Sequence, residues 1–432
     1  MPHLPLAVAL DGAGWHPAAR EVGRGNPGGR SGPVGRGNPG GRSGPDGRGD
    51  PIGQARREPD ARPHELFTAG YWASLAREAE AGLLDFLTIE DSLGLRGGSA
   101  QGTPGDVRGR LDAVLLAARI APLTTHIGLI PAVITTHTEP FHVSTAIATL
   151  DFVSEGRAGW RPRVSVTAAD ARLFGRREFP EFTLKDRDKP GIKEHIAELF
   201  DEAADYVEVV RRLWDSWEDD AVIRDIPTGR FIDRDKLHYI DFEGKWFSVR
   251  GPSITPRPPQ GQPVVAALAH AGVPYRFAAR SADLVFVTPR DAGHAADILA
   301  DVRTAEDSSE RIGPPLAIFA DLTVFIDDEP GAAAARRARL DDAAGAPYTS
   351  DTAIVAGTPA ELADLLLEWR ATGLDGFRLR PGTLPHDLEG ITRGLVPELR
   401  RRGVFRSSYA ESTLRERLGL SRPVNRYEGA SA

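Results

Sequence analysis

Eight short apolar runs punctuate the sequence, at Leu4–Leu10, Leu84–Glu90, His126–Ala132, Arg157–Ser165, Pro263–Ala269, Ala282–Val287, Pro315–Phe325 and Leu374–Leu379. Helical patterns fill most of the intervals, at Glu65–Ala81, Arg108–Ala121, Pro140–Val153, Ile192–Trp217, Ala292–Arg303 and Pro359–Ala371. Strand and helix signals in alternation specify a parallel sheet wrapped by helices, and eight is the number of strands in a closed (β/α)8 TIM barrel. We therefore expect an α/β fold in which residues 1–420 form one barrel domain and 421–432 a C-terminal tail.

Two stretches do not fit the alternation. Residues 166–262 are too long for a strand-to-helix loop, so we expect a large insertion after the fourth strand, lying over the barrel mouth. Within it Val207, Val210 and Trp214 have helical spacing and read as core, whereas Trp217, at the helix end, reads as partly exposed. After the first strand GRGNPGGRSGPV (Gly23–Val34) recurs as GRGNPGGRSGPD (Gly35–Asp46). Its Gly, Pro and Arg bury too little apolar surface to offset ordering entropy, so 21–60 reads as a disordered low-complexity insertion.

Charge narrows the partners. The 432-residue chain has a net charge of −8, and the Arg20–Glu58 segment holds eight arginines against four acids, which leaves −12 for the rest. An acidic body argues against nucleic acid or an anionic membrane and for a small-molecule substrate. There is no cysteine, so disulfides, thiolate metal sites and cysteine nucleophiles are excluded. The N-terminus lacks the basic region of a secretory signal, and the longest uncharged stretch, Ile120–Thr138, is broken by prolines, so a cytoplasmic protein is expected.

In a barrel, the polar residues just after each apolar run face the site. Here they are Asp11, Glu90-Asp91, Thr135-Thr136-His137, and Arg161 and Arg163 within the fourth run. No Ser–His–Asp arrangement can be read from the spacing, and the histidines of HTEPFH (His137–His142) are not spaced to share one helical face, so no metal site is expected. The turn Ala269-His270-Ala271-Gly272 leads into a helix N-terminus and is a candidate anion seat.

Several longer stretches together resemble the bacterial luciferase-like, flavin-dependent monooxygenases, in the branch of nitrilotriacetate and dibenzothiophene-sulfone monooxygenases. They are AVALDGAGWHPAA (Ala7–Ala19), EAGLLDFLTIEDSL (Glu80–Leu93), HIGLIPAVITTHTEPFHVS (His126–Ser144), TLDFVSEGRAGW (Thr149–Trp160), EVVRRLWDSWEDDA and VPELRRRGVFRSSYAESTLRERLGL (Val396–Leu420). The resemblance implies a barrel whose mouth holds reduced FMN (FMNH2) supplied by a separate flavin reductase. There O2 would form a C4a-peroxyflavin that oxygenates a small organic substrate, so the catalytic residue stays unknown because the flavin carries the chemistry. Relatives form dimers, so a homodimer is possible.

Carried over residue by residue, the resemblance implies cofactor binding by Asp91, Thr135, Thr136, His142, Arg161 and His270. The departures are as specific. Ala132 and Ile134 replace hydroxyl residues, Arg161 replaces the asparagine of GWN, and Phe200 replaces a tyrosine. His195 is one position out of register, and ALAHAG (Ala267–Gly272) replaces the QAGxS phosphate turn. Arginines can compensate as phosphate ligands. These departures leave two alternatives: a deazaflavin-dependent oxidoreductase on the same barrel, or a degenerate barrel kept as a subunit or binding partner.

Overall fold

The computed structural model describes residues 3–20, 62–95, 107–311 and 313–429, so the expected disordered insertion at 21–60 lies outside the described residues. Eight parallel strands pair in chain order, and the last returns to the first. They are β1 (Leu6–Leu10), β2 (Phe86–Ile89), β3 (Gly128–Ile134), β4 (Gly159–Arg163), β5 (Val264–Leu268), β6 (Leu284–Val287), β7 (Ala317–Ile326) and β8 (Gly376–Pro381). Each lies within two residues of an expected run. The result is a closed (β/α)8 barrel, and with no edges inside the ring every strand can be buried on both faces.

Around it run α1 (Ala69–Ala81), α2 (Ala113–Ile120), α3 (Pro140–Val153), α4 (Ala168–Phe174), α5 (Pro190–Asp215), α6 (Gly272–Ser281), α7 (Ala292–Ser308), α8 (Ala332–Ala344) and α9 (Pro359–Arg370). Their starts are written locally. Thr68 and Asp112 cap α1 and α2, and Thr358 with Glu361 forms a capping box ahead of Pro359 in α9. The sequence reading did not foresee α8, although GAAAARRARLDDAAG is rich in alanine between Gly331 and Gly345. Nor did it foresee an edge strand, Ala353–Gly357, which pairs with the second half of β7.

Period-2 alternation sends one face of each strand into the lumen. At the N-terminal end that face is apolar. Phe86, Phe286 and Phe319 meet with ring centroids 5.7 and 6.1 Å apart, and Leu414 and Leu420 from the end of the chain plug the opening below them. Two glycines mark where backbones crowd. A Cβ on Gly159 would lie 2.8 Å from the Val264 carbonyl, and one on Gly376 would strike the Phe319 ring.

The insertion divides. Its first part, α4 with the loop into α5, borders the mouth, while α5 packs on α3 and α6 as the barrel's own fourth helix. Beyond α5 the chain lies at the opposite end from the mouth, beside its own terminus. Arg257 donates to the Pro423 carbonyl at 2.8 Å, and the Gln260 side chain accepts from Arg415 N, one residue past the Leu414 plug. The expectation that all of 166–262 overlies the mouth is corrected accordingly: a helix antiparallel to its strands delivers the chain to the other end. Trp217 is buried there, its indole N–H donating to Ser253 O at 2.8 Å, against the expected partial exposure. Residues 421–429 are docked rather than loose, since Asn425 is buried and donates to the carbonyls of Asp215 and Trp217.

Candidate active site

Toward the C-terminal ends of the strands the lumen turns from apolar to ionic. Asp321 on β7 is fully buried and accepts from Arg378 and Arg380, two residues apart on β8, at 2.5–2.9 Å. Arg378 also reaches Thr88 Oγ1 at 3.1 Å and Glu90 Oε1 at 3.3 Å, and its guanidinium lies 3.9 Å from the Phe286 ring centroid. Arg161 of β4 binds the other oxygen of Glu90, and Arg380 binds Asp351 at 2.6 Å while lying over the Trp15 ring. The chain of pairs runs Arg161–Glu90–Arg378–Asp321–Arg380–Asp351. Burial would raise the Glu90 and Asp321 carboxyls, but the adjacent arginines hold both below the ordinary range.

Beside this network a cavity of about 500 Å3 opens at the ends of β2 and β3. Ala132, Val133 and Ile134 form one wall, Leu93, Val114 and Leu173 add apolar surface, and Asp91, Ser92, Arg108 and Arg110 supply polar groups. Such a volume is ordinary for a small-molecule site. An open mouth counts against the degenerate-barrel alternative, even though arginines fill the lumen underneath.

The expected site residues distribute unevenly. Asp91 lines the cavity, accepting from Ser92 N at 2.7 Å and from Ala113 N at 3.1 Å; burial raises its carboxyl and these N–H bonds oppose the rise. Thr135 and Thr136 tie the end of β3 to that of β4, one donating to Arg163 O at 3.3 Å and the other accepting from Ser165 N at 3.0 Å. Arg161 stands opposite Ala132 in the β3–β4 register, deep in the lumen. His270 lies across the mouth, 2.9 Å from Thr288 Oγ1 and 3.5 Å from Asp351, with burial lowering its pKa. His142 is exposed on α3 and does not join the cavity lining.

Other residues acquire different roles from those their types suggested. Arg157 of GRAGW is a staple. Its guanidinium donates to Ser154 O, Ala121 O, Thr124 O, Ile127 O and Thr124 Oγ1 at 2.8–3.0 Å, fixing the entry to β4 at the N-terminal end. Phe200 packs edge-on against Phe277 of α6, with ring centroids 5.7 Å apart. Sequence reasoning missed Arg378, Arg380 and Asp321. The signal available was charge at alternate positions near the ends of two strands.

A flavin phosphate would find a seat at α6. Ala271 gives that helix no side-chain cap, and the first-turn N–H groups have no intrahelical partner. A Cβ on exposed Gly272 would meet only Arg276 Nη1, at 3.6 Å, so the approach is open and a guanidinium stands beside it. These residues fit the group.

The comparisons agree with this architecture. The family described as Luciferase-like monooxygenase matches residues 52–349. N-acetyl-S-(2-succino)cysteine monooxygenase of Bacillus subtilis (strain 168) is 31% identical, the match spanning 86% of this chain and 94% of that protein. Nitrilotriacetate monooxygenase component A of Aminobacter aminovorans is also 31% identical, over 85% of this chain and 94% of that one. Among solved structures, a riboflavin lyase with modified FMN and riboflavin superposes with a TM-score of 0.76 at 25% identity, covering 99% of this chain and 98% of the other. A barrel of this topology, closed by its own C-terminal plug and matched over most of its length, belongs to the luciferase-like monooxygenase family.

Proposed function

We propose that the chain is the oxygenase component of a two-component, FMN-dependent monooxygenase, receiving FMN reduced by a separate flavin reductase. The observation that carries this reading is the open cavity at the mouth of a luciferase-like barrel, together with the uncapped start of α6. When bound, reduced FMN supplies two electrons to O2, so that one oxygen atom enters the substrate and the other leaves as water.

The remaining work falls to the chain. Gly272, Val273 and Arg276 would hold the phosphate, and Asp91, Thr135, Thr136 and His270 frame the mouth. Ala132 and Ile134 give the cavity an apolar wall that excludes water from the reacting centre. The ion-paired lumen is a rigid floor, because moving any member would strip a buried charge of its partner.

The test is an anaerobic titration of the purified chain with FMN and with a deazaflavin, each reduced and oxidised. Tightest binding of reduced FMN is expected, and Arg276→Gln should weaken FMN while leaving riboflavin unchanged. Preference for the deazaflavin would transfer the protein to a hydride-transfer role, and no binding of any flavin to the folded chain would overturn the reading. Leu115 on α2 and Phe152 on α3 leave apolar surface on neighbouring helices, which supports a homodimer; sedimentation at monomer mass would refute it.

A further inference from the structure

The imidazole of His137 is buried just past the end of β3, with a hydrogen-bond partner on neither ring nitrogen. Its backbone stands at φ 74°, in the left-handed region that residues other than glycine seldom occupy. Two phenylalanines of the segment after β4 hold the ring. Phe174, at the end of α4, stacks on it with centroids 5.1 Å apart, and Phe179 lies 5.0 Å from it and meets His195 of α5 edge-on at 4.7 Å. Leu173, beside Phe174, and Thr138, beside His137, both line the 500 Å3 cavity, so this aromatic clasp fixes part of its wall.

The carboxylates around the clasp are already engaged. Asp170 of α4 accepts from Ser165 Oγ at 2.6 Å, and Glu139 takes Arg176 at 3.1 Å. On α5, Glu202 takes Arg177 at 2.7 Å and Glu198 takes Lys245 at 2.8 Å. Arg176 also donates to the His137 carbonyl, and the Arg177 guanidinium lies 5.2 Å from the Phe179 centroid. Burial and then Arg177 hold the His137 imidazole below its ordinary pKa, with Asp170 opposing; burial lowers His195 likewise, against Glu198. The closed clasp therefore accepts only the neutral ring, and even that ring keeps its N–H unsatisfied. Opening gives both nitrogens to water.

We propose that α4 and the loop behind it form a gate on the mouth cavity, latched by Phe174 and Phe179 on neutral His137 and released when that ring takes up a proton. Access to the cavity is what changes, whichever cofactor or substrate enters. The open ring titrates near the ordinary histidine value of about 6.5. Because the open state binds the proton and the closed state resists it, lowering the pH from about 7.5 to about 5.5 raises the opening equilibrium about tenfold.

Amide hydrogen exchange of the flavin-free chain measures that equilibrium, read by mass spectrometry on peptides covering residues 164–182 and corrected for the intrinsic pH dependence of exchange. Wild type should lose about tenfold in protection across this range, while peptides from α9 keep theirs. His137→Phe and His137→Asn cannot take up the proton, and each should abolish the difference; asparagine suits the left-handed backbone should phenylalanine disturb it. Phe179→Ala should leave the segment poorly protected at both pH values. Thermal unfolding at both pH values confirms that each variant is folded.

Equal protection of wild type at the two pH values would overturn the proposal. So would a loss that persists in both His137 variants, a loss shared by α9, or full protection in Phe179→Ala. If His195→Asn abolished the difference while the His137 variants still responded, the titrating group would lie on α5 and the latch on His137 would be refuted. No flavin is present in these measurements, so their outcome stands apart from the titration that tests the oxygenase reading.

Discussion

Asp321→Asn is the sharpest test of the ionic lumen. The carboxylate is fully buried and accepts four N–H bonds, from Nε and Nη2 of Arg378 at 2.8 and 2.5 Å and from Nε and Nη2 of Arg380 at 2.9 and 2.5 Å. An asparagine removes the charge and turns an N–H2 group toward guanidinium donors. Deleting one partner of a buried ion pair costs about 3–5 kcal/mol. Each arginine here keeps a second carboxylate, Glu90 for Arg378 and Asp351 for Arg380. The lower end, about 3 kcal/mol, is therefore expected.

Urea unfolding followed by tryptophan fluorescence at neutral pH reads this out. Combining Asp321→Leu with Arg378→Met and Arg380→Leu should recover most of the loss, because Glu90 keeps Arg161 and the half-exposed Asp351 is solvated without Arg380. The arginines hold the Asp321 carboxyl below its ordinary value, so its contribution is present above the unfolded pKa and fades as pH falls through the folded one. The gap between wild type and Asp321→Asn should accordingly narrow in acid. A loss under about 1 kcal/mol, the scale of solvent-exposed pairs, would refute a dry lumen.

Three further outcomes are expected. Burial outweighs the N–H bonds from Gln260 and raises Asp151 to about 6, so the folded state binds more protons than the unfolded one above the ordinary aspartate pKa. Wild-type stability from this group then falls by about 3 kcal/mol as pH rises from about 4 to 6. Urea midpoints of Asp151→Asn relative to wild type should rise over that window, and a flat difference would show Asp151 already ionised. Arg157→Lys replaces a five-bond staple with a three-donor ammonium, leaving carbonyls unpaired at a cost of about 3 kcal/mol in the same assay; an unchanged midpoint would mean that water replaces it. Gly159→Ala forces a Cβ to within 2.8 Å of the Val264 carbonyl and should cost about 1–3 kcal/mol, whereas a neutral result would show that β4 and β5 can separate freely.

The barrel was legible because burial writes itself into a strand as a run of apolar residues, and eight such runs survive every local irregularity. Of the site, sequence reasoning reached a polar residue placed just after an apolar run, Asp91, and a charge unusual for its place, Arg161 in the middle of β4. The pairing escaped. Arg378 and Arg380 alternate with Phe377 and Leu379 in GFRLRP, and Asp321 sits in ADLTVF, so each segment reads locally as a plain strand with a stray charge. Period-2 geometry turns both arginines inward, and the β7–β8 register sets Asp321 level with Arg378. No spacing within either segment reveals that register, because it is fixed by how the whole ring closes. The same closure explains Arg157 and Arg161, four residues apart in the segment that contains GRAGW. One falls at the bottom of β4, where loop carbonyls converge, and the other inside the lumen opposite Ala132, where Glu90 is its carboxylate. Identical side chains become a structural staple and a member of the ionic lumen because Arg157 precedes β4 and Arg161 sits in its middle, at different depths of the barrel.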